Sequence, residues 1–272
     1  MQKIAIISDI HANITALEAV FADIESKNIS KIYCLGDLVL KCANPDLVID
    51  RIREKCEVIL KGNCDELVCS NEKYTWTRSR IGDERLAFLD TLPVMHEFYM
   101  SGHLIRLFHA SPYSLNHLYN PIFSNQHNRY ASMELQNPAE LFANTDYIEK
   151  TPNDPIPDVI GYGHIHTPNV FRYKNYMIFN TGSVGIPTEM LNTNPHDEKN
   201  KFSTMSSYAI LEGELDSHEL SSFSINLVRV PYDISAEIAY LKESNMSTKK
   251  AVIYNLETSI DGRRSEYYEQ TN

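Results

Sequence analysis

Three short apolar runs near the start of the chain alternate with helical patterns, and this alternation restricts the fold more than any other feature. The runs are KIAIIS (residues 3–8), KIYCLGD (31–37) and EVILKGN (57–63). Nearly continuous apolar runs of this length are typical of strands covered on both faces in a largely parallel sheet. Asn13 is placed to cap the helix after the first run, and Asn44-Pro45 opens the helix after the second. The sequence therefore predicts a βαβαβ unit with right-handed crossovers.

Polar side chains with metal-binding chemistry follow each of these strands. Asp9 and His11 follow the first strand, Asp37 the second and Asn63 the third. Open α/β sheets bind their ligands at the carboxyl ends of the strands. We therefore expect these four residues to lie at one edge of the sheet and to share one site.

The second half of the chain has the pattern of antiparallel hairpins. EFYM and HLIRLFH flank a Ser-Gly turn, with His109 at the exit of the second strand. VIGYGHIH carries His164 and His166 and precedes a hairpin that turns at Lys174-Asn175. SYAILEGEL and FSINLVRVPY predict a closing meander, and residues 235–244 predict a short helix. We expect two sheets that pack face to face, with helices outside them.

Five sequence blocks stand in a fixed order along the chain. They are D-x-H, G-D, G-N, a lone His and G-H-x-H, written here as DIH, GD, GN, H and GHIH. Alone, D-x-H is more often a helix cap beside a surface histidine, and G-D or G-N is an ordinary turn. Together, from residue 4 to about residue 187, they resemble the signature of the calcineurin-like metallophosphoesterases. The resemblance implies an α/β fold, a four-layer αββα sandwich of two mixed β-sheets flanked by helices.

The domain organisation follows from the same resemblance. We expect one metallophosphoesterase domain over residues 1–257 and a polar C-terminal tail over residues 258–272. Residues 113–156, between the lone His and the G-H-x-H block, form an insertion, because compact members of the family join these blocks more briefly. Two roles stay open for this insertion, a cap or lid over the site and a decorative or interface loop.

Carried over block by block, the resemblance implies two divalent metal ions. Asp9, His11 and His166 would hold the first ion, Asn63, His109 and His164 the second, and Asp37 would bridge them. Among these, Asp37, Asn63 and His109 are the expected catalytic residues. Carboxylate, imidazole and amide donors without thiolate favour Mn²⁺ or Fe²⁺ and also suit Ni²⁺, Co²⁺ or Zn²⁺. Two ions ~3.5–4 Å apart can turn a bridging water into hydroxide that attacks a clamped phosphate.

Cys64 is the main departure from the broad family pattern. Many of these phosphoesterases have G-N-H-[DE], whereas this chain has G-N-C-D, as in a subset that resembles the small prokaryotic phosphodiesterases. A thiol with a reference pKa of ~8.5 is a poor substitute for an imidazolium acid. We interpret Cys64 as a small buried spacer rather than a catalytic group, and Asp65 as a helix cap.

Several residues are candidates for substrate contacts, each with a plainer alternative. Lys41 stands where protein phosphatases of this superfamily carry a phosphate-binding arginine, and it is equally well a solvated surface lysine. The stretch YTWTRSR interleaves aromatic and cationic side chains that could stack on a nucleobase, or serve as core and solvated edge. The full set of candidates is Lys41, Tyr74, Trp76, Arg78, Arg80 and, in the insertion, Tyr119, Asn120 and Arg129.

Charge and cysteine usage restrict the partners. A net charge of −11 and a pI of about 5.4 disfavour binding to nucleic acid, whose backbone is also negative. The five cysteines are odd in number and contain no C-x-x-C pair. This argues against a disulfide framework and fits a reducing compartment. No apolar stretch approaches the ~20 residues needed to span a bilayer. We expect a cytoplasmic protein with a small-molecule partner and no membrane partner; the oligomeric state stays open.

The expected activity is hydrolysis of phosphoanhydrides or phosphodiesters with good leaving groups. Nucleotides such as ATP or dinucleoside polyphosphates fit this class. A generic or cyclic-nucleotide phosphodiesterase is the second interpretation. A protein phosphatase is the third, because the G-D-x-x-D-R-G block of those enzymes is not kept in this chain, which has GDLVLKC at that place. The non-enzymatic alternative is a protein-interaction module. A retromer subunit resembles this fold, but its set of metal ligands is incomplete.

Overall fold

A computed structural model describes residues 1–117, 119, 121, 135, 137–189 and 201–259. Over these residues the strands are β1 (Gln2–Ile7), β2 (Lys31–Cys34), β3 (Val58–Ile59), β4 (Met95–Met100), β5 (His103–Phe108), β6 (Val159–Tyr162), β7 (Asn169–Tyr173), β8 (Tyr176–Asn180), β9 (Thr188–Glu189), β10 (Lys201–Phe202), β11 (Met205–Gly213) and β12 (Ser224–Pro231). The α-helices over the same residues are α1 (Ile14–Ser26), α2 (Pro45–Lys55), α3 (Asn63–Ser70), α4 (Thr75–Asp90), α5 (Ile234–Glu243) and α6 (Lys249–Glu257).

The first sheet contains the predicted βαβαβ unit. Its strand order is β12-β11-β1-β2-β3, and β1, β2 and β3 run parallel to one another. The Asn13 side chain caps α1 by accepting a hydrogen bond from Ala16 N at 2.9 Å, and Pro45 occupies the first turn of α2. The predicted closing meander is β11 and β12, which add antiparallel strands beside β1.

The second sheet has the order β4-β5-β6-β8-β7 and is also mixed. Its two predicted hairpins, β4 with β5 and β7 with β8, are antiparallel, whereas β5, β6 and β8 run parallel to one another. The carboxyl ends of β5 and β6 therefore lie at one edge of this sheet. They carry the histidine motifs of the second half.

Alternation along the strands sorts the apolar side chains into two layers of core. Ile4 and Ile6 of β1 face the second sheet and pack with Ile105 and Leu107 of β5. Ala5, next to them, faces α1 and α2 on the other side of the first sheet. Because successive side chains of a strand point to opposite faces, one apolar run serves both layers. The predicted fold class is confirmed: two mixed sheets flanked by helices.

A segment of the insertion covers the outer face of the second sheet. Residues 138–148 include two 3₁₀-helices, Pro138–Phe142 and Asp146–Ile148, and Phe142 packs with the side chains of β5, β6 and β8. The fully buried guanidinium of Arg106 donates to Glu97 Oε1 at 2.7 Å and to Ala143 O at 2.8 Å. This part of the insertion is thus integrated into the sandwich. A lid or interface role for the rest of it stays a prediction.

The C-terminal helices α5 and α6 pack against loops of the first sheet. Leu241 of α5 and Val252 of α6 share an apolar cluster with Ala12, Cys42 and Ile186. Most of the predicted C-terminal tail lies outside the described residues. Within the described part, no helix has the length and apolar character that a membrane crossing requires.

Candidate metal centre

The seven predicted ligands follow the carboxyl ends of five strands. Four come from the first sheet, in the loops after β1 and β2 and, for Asn63, at the first residue of α3 after β3; the loops after β5 and β6 bring in three from the second. The structure brings all seven side chains together where the two sheets meet at this edge. The members of this set, named the metal centre after the ions that it is predicted to hold, are Asp9, His11, Asp37, Asn63, His109, His164 and His166.

The backbone at the metal centre is held in the left-handed region. Asp9, His11, Asp37, His164 and His166 have φ between 50° and 66°, a conformation that is uncommon for residues other than glycine. Asp and His are among the residue types that tolerate it best. Such conformations cost free energy and persist only where the surrounding structure holds them. Five of the seven side chains are therefore aimed by strained loop backbone.

The first group of converging atoms consists of two imidazoles and two carboxylates. The Nε2 atoms of His11 and His166 lie 3.0 Å apart. Asp9 Oδ1 lies 3.2 Å from His166 Nε2, and Asp37 Oδ2 lies 3.6 Å from His11 Nε2. These are the four residues that the family resemblance assigns to a first ion and its bridging carboxylate, and the assignment stays a prediction.

The second group is centred on the amide oxygen of Asn63. Asn63 Oδ1 lies 2.9 Å from His109 Nε2 and 3.0 Å from His164 Nδ1. Asp37 Oδ1 lies 3.5 Å from His109 Nε2, so the two carboxylate oxygens of Asp37 face different groups. His109 Nδ1 donates to Leu35 O at 2.9 Å, so the neutral form of the ring has its lone pair on Nε2. That lone pair points at the lone pairs of Asn63 Oδ1.

The donor atoms fit divalent cations. Lone pairs of two acceptors that face each other at about 3 Å repel unless a proton or a cation lies between them. Asp9 Oδ1 is fully buried, and among the described residues it has no hydrogen-bond partner apart from the imidazole of His166 at 3.2 Å. A buried carboxylate oxygen with so few partners is costly, and a metal ion would relieve that cost. Both groups therefore have the composition and the arrangement of metal sites.

Electrostatics favour the metal-binding protonation states of Asp9, His11 and His164. Burial lowers the pKa of His164 to about 3, and burial together with His166 lowers the pKa of His11 well below its usual value. Burial alone would raise the pKa of Asp9, but the imidazoles of His166, His109 and His11 lower it below its usual range. Neutral imidazole and ionised carboxylate are the forms that coordinate metal.

The pKa shifts of Asp37 and His109 go the opposite way. Burial raises the pKa of Asp37. Burial alone would lower the pKa of His109, but the charges of Asp37 and Asp9 outweigh it and raise that pKa.

Two glycines permit the close approach of these loops. A Cβ at Gly62 would lie 2.1 Å from Asp37 N, and a Cβ at Gly163 would lie 2.6 Å from Asp9 Oδ2. Both distances are shorter than real contacts between such atoms. The glycines of the G-N and G-H-x-H blocks therefore bring the ligands of different strands into contact.

Asp65 does more than the helix cap that the sequence predicts. The cap itself is confirmed, because Asp65 Oδ2 accepts from Gly62 N at 2.9 Å. The same buried carboxylate also accepts from Asp37 N and Leu38 N, each at 2.9 Å. Burial raises its pKa to about 7, and the charge of Asp37 adds to that shift. Asp65 thus ties the Asn63 loop to the Asp37 loop, a role whose only signal in the sequence is its place in the G-N-C-D block.

The Cys64 thiol is buried at the metal centre. Its Sγ, a carboxylate oxygen of Asp37 and a ring nitrogen of His11 all lie within 4.8 Å of one another. Burial raises the pKa of this thiol well above its usual value, and the Asp37 charge raises it further. The predicted burial is confirmed, whereas the spacer role stays a prediction.

The other candidates for substrate contacts have varied surroundings. Lys41 is exposed and close enough to the centre for its ammonium charge to contribute to the low pKa of His11, after burial and His166. Trp76 is half-buried against the cluster of α5 and α6. Arg78 donates to the carbonyl oxygens at the end of α3, and Arg80 pairs with Asp46 at 3.0 Å.

The remaining candidates lie away from the seven-residue set or outside the described residues. Tyr74 is half-buried against the core between the first sheet and its helices. Tyr119 lies over the outer face of the second sheet, where its carbonyl accepts from Tyr162 Oη at 3.1 Å. Asn120 and Arg129 lie outside the described residues. Their role as substrate contacts stays a prediction.

Comparison with known proteins gives the family context of this geometry. Residues 2–195 match the model of the calcineurin-like phosphoesterase superfamily domain. An uncharacterised protein of Methanocaldococcus jannaschii is 31% identical over 249 residues, a match that covers 85% of this chain and 88% of that protein.

Two solved structures share the fold. A metallophosphoesterase from Sphaerobacter thermophilus has a TM-score of 0.65 and 21% identity, over 95% of this chain and 99% of that one. A hypothetical protein from Pyrococcus horikoshii has a TM-score of 0.67 and 17% identity, over 94% and 98%. At such identities the likeness concerns the fold alone.

We predict that Asp65→Asn weakens both the fold and metal binding. Asparagine keeps the shape, but it replaces one acceptor oxygen by an N–H donor that faces backbone N–H groups. Leaving buried donors unpaired should lower the free energy of unfolding by about 2 kcal/mol. Loss of loop alignment should weaken Mn²⁺ binding about tenfold. Urea unfolding and calorimetric Mn²⁺ titration measure the two effects.

The control for this variant is Glu66→Gln, which changes an exposed neighbour on the same helix. An Asp65→Asn protein that binds Mn²⁺ as tightly as the control would contradict the positioning role of Asp65.

Proposed function

This chain belongs to the calcineurin-like phosphoesterase superfamily, and from that premise we propose that it hydrolyses phosphodiesters or phosphoanhydrides with good leaving groups. The observation that carries the proposal is the position of Asp37, whose two oxygens face two separate groups of ligands. A carboxylate so placed can bridge two ions. Mn²⁺ or Fe²⁺ are the ions that we favour.

The residues of the metal centre have different roles in the proposed hydrolysis. Two divalent ions bound here would lower the pKa of a water to generate the nucleophile and would neutralise phosphate charge. Asp37 fixes the spacing of the two sites. His109 is held in one tautomer by Leu35 O, so that its Nε2 always faces the site. The exposed ammonium of Lys41 is placed to attract an anionic substrate.

The chemistry of Cys64, the candidate proton donor to the leaving group, supports the choice of substrate class. General acid catalysis needs a group that can give up its proton near neutral pH. The Cys64 thiol is a poor acid of this kind, because burial and the Asp37 charge raise its pKa. Substrates whose leaving groups depart without a proton are therefore favoured over alkyl monoesters.

We propose nucleotides such as ATP or dinucleoside polyphosphates as the small-molecule substrates. The half-buried Trp76 beside the loops of the first sheet is our candidate for a base contact. A generic or cyclic-nucleotide phosphodiesterase is the second candidate. We further propose that the protein works in the cytoplasm without nucleic-acid or membrane partners, since its five cysteines are free and its net charge is −11.

Removal of metal should abolish hydrolysis. We expect a chelator to eliminate activity on an aryl phosphodiester and Mn²⁺ to restore it. Asp37→Asn should lower kcat/KM by roughly a hundredfold or more, and by more than His11→Asn, because it disturbs both sites at once. A colorimetric assay with matched circular dichroism spectra measures this. Full activity of the metal-stripped protein would refute the proposed function.

The leaving-group dependence tests the role of Cys64. Rates across a series of aryl phosphodiesters should rise steeply as the pKa of the leaving phenol falls, since little acid assistance is available. Cys64→Ser should change the rates by less than about threefold, as should the control Cys69→Ser on the same helix. A loss of orders of magnitude in Cys64→Ser alone, with metal still bound, would make Cys64 catalytic.

Two substitutions should separate phosphate contacts from base contacts. Lys41→Gln should lower kcat/KM about tenfold for both ATP and an aryl diester, because both carry phosphate. Trp76→Ala should raise KM about tenfold for ATP alone, because only ATP has a base that can stack. Lys55→Gln, an exposed lysine at the end of α2, is the control. Equal losses on both substrates in Trp76→Ala would assign Trp76 to the fold.

A further inference from the structure

Helix α5 inserts a carboxylate into the interior beside the loops of the metal centre. Glu237 is fully buried, and its Oε2 accepts from Thr15 Oγ1 at 3.0 Å. Its Oε1 is buried and has no partner at hydrogen-bond distance among the described residues. Burial raises the pKa of Glu237 to about 7, although Thr15, the N–H of Ala43 and the thiol of Cys42 act in the opposite direction. A buried carboxylate of this kind costs stability, so its contacts need a reason.

Each of these contacts lies next to a loop that carries metal ligands. Thr15 is in the first turn of α1, directly after the loop of Asp9 and His11. Cys42 and Ala43 lie in the loop that follows Asp37. Glu237 is therefore hydrogen-bonded to Thr15 at the end of the first loop, and it lies beside Cys42 and Ala43 of the second.

The two loops are also bound to each other at this point. Cys42 N donates to His11 O at 3.0 Å, and His11 N donates to Asp37 O at 2.9 Å. Any shift of Cys42 is thus passed through a single hydrogen bond to the backbone of a ligand.

The loop after Asp37 needs support from outside itself. Leu40 and Lys41 have φ of 67° and 72°, although a bulky side chain such as leucine is a rare occupant of this region. Consecutive residues in this conformation persist only where neighbours hold them. Cys42 and Ala43 are buried against the apolar cluster of α5 and α6, next to Glu237.

We propose that Glu237 is a positioning residue of the metal centre, which clamps the loop of Asp9 and His11 to the loop of Asp37 from the C-terminal helix α5. The proposal rests on the metal centre of the proposed function, but not on its substrate. It assigns a role at the centre to a segment beyond residues 2–195, the part that matches the family model.

The test compares metal affinity with stability. Glu237→Leu fills the space but removes the acceptor, and it should weaken Mn²⁺ binding to chelator-stripped protein about tenfold by calorimetric titration. The melting temperature of the stripped protein should hold or rise, because replacing a buried charge by an apolar group is often neutral or stabilising. Glu237→Gln keeps an acceptor for Thr15 Oγ1 and should restore most of the affinity.

Two further variants serve as a control and as a substitute for Glu237→Leu. Glu243→Leu changes an exposed glutamate on the same helix and should bind Mn²⁺ normally. Should Glu237→Leu fail to fold, Thr15→Val removes the same hydrogen bond from the opposite side and should weaken Mn²⁺ binding in the same direction.

An unchanged Mn²⁺ isotherm in Glu237→Leu, or in Thr15→Val if that variant is used, would overturn the proposal. Weakened Mn²⁺ binding in a protein that hydrolyses no phosphate ester would support the proposal and refute only the proposed function. No Mn²⁺ binding by the unchanged protein would overturn both.

Discussion

Mutual repulsion of converging lone pairs is the constraint on which the rest of the structure depends. Imidazole, amide and carboxylate acceptors meet with Asp37 between them, and the closest pairs, such as His109 Nε2 and Asn63 Oδ1, are about 3 Å apart. Where the facing ring nitrogens carry no proton, side chains would not adopt this arrangement for their own contacts, because acceptors gain nothing from facing acceptors. The fold must hold them against that repulsion, which a cation between them would compensate. Strain in the loops and buried atoms with few partners, such as Asp9 Oδ1, are the cost of keeping the site ready.

The two-sheet architecture spreads this strain over several loops that are hydrogen-bonded to one another. Each sheet supplies a rigid edge, and hydrogen bonds between loops continue the sheet ladders beyond their last paired residues, as from His11 N to Asp37 O at 2.9 Å. Asp65 then locks the second and third loops of the first sheet with one carboxylate that accepts from several backbone N–H groups. The ligands are thus positioned mostly by backbone, which moves less than side chains. Residues that offer no ligand atom, such as Gly62 and Gly163, therefore matter as much for the geometry of the centre as the ligands do.

Sequence patterns predicted the parts of the molecule whose causes are local. The β1-α1-β2-α2 alternation and both hairpins of the second sheet follow from apolar spacing and turn residues, and the ligands follow from short blocks at strand ends. Helix α4 was missed because Gly82, with φ of 72°, interrupts it and its apolar residues do not follow one helical face. The extra role of Asp65 and the contact of Glu237 were missed for another reason. Thr15 and Glu237 are 222 residues apart, and no local pattern encodes such a pair.

The end of the family match at residue 195 is not a structural boundary of this protein. Strand β11, beyond that point, pairs with β1 from Gln2 to Ile6 and so closes the open side of the strand that delivers Asp9. Ser206 Oγ also donates to Val184 O at 2.7 Å, which fixes the turn whose Gly185 N donates to Asp9 O at 3.0 Å. The N-terminal loop that begins the metal centre is therefore enclosed by C-terminal chain on two sides. Because these contacts join the two ends of the described chain, the geometry of the centre depends on both ends being folded.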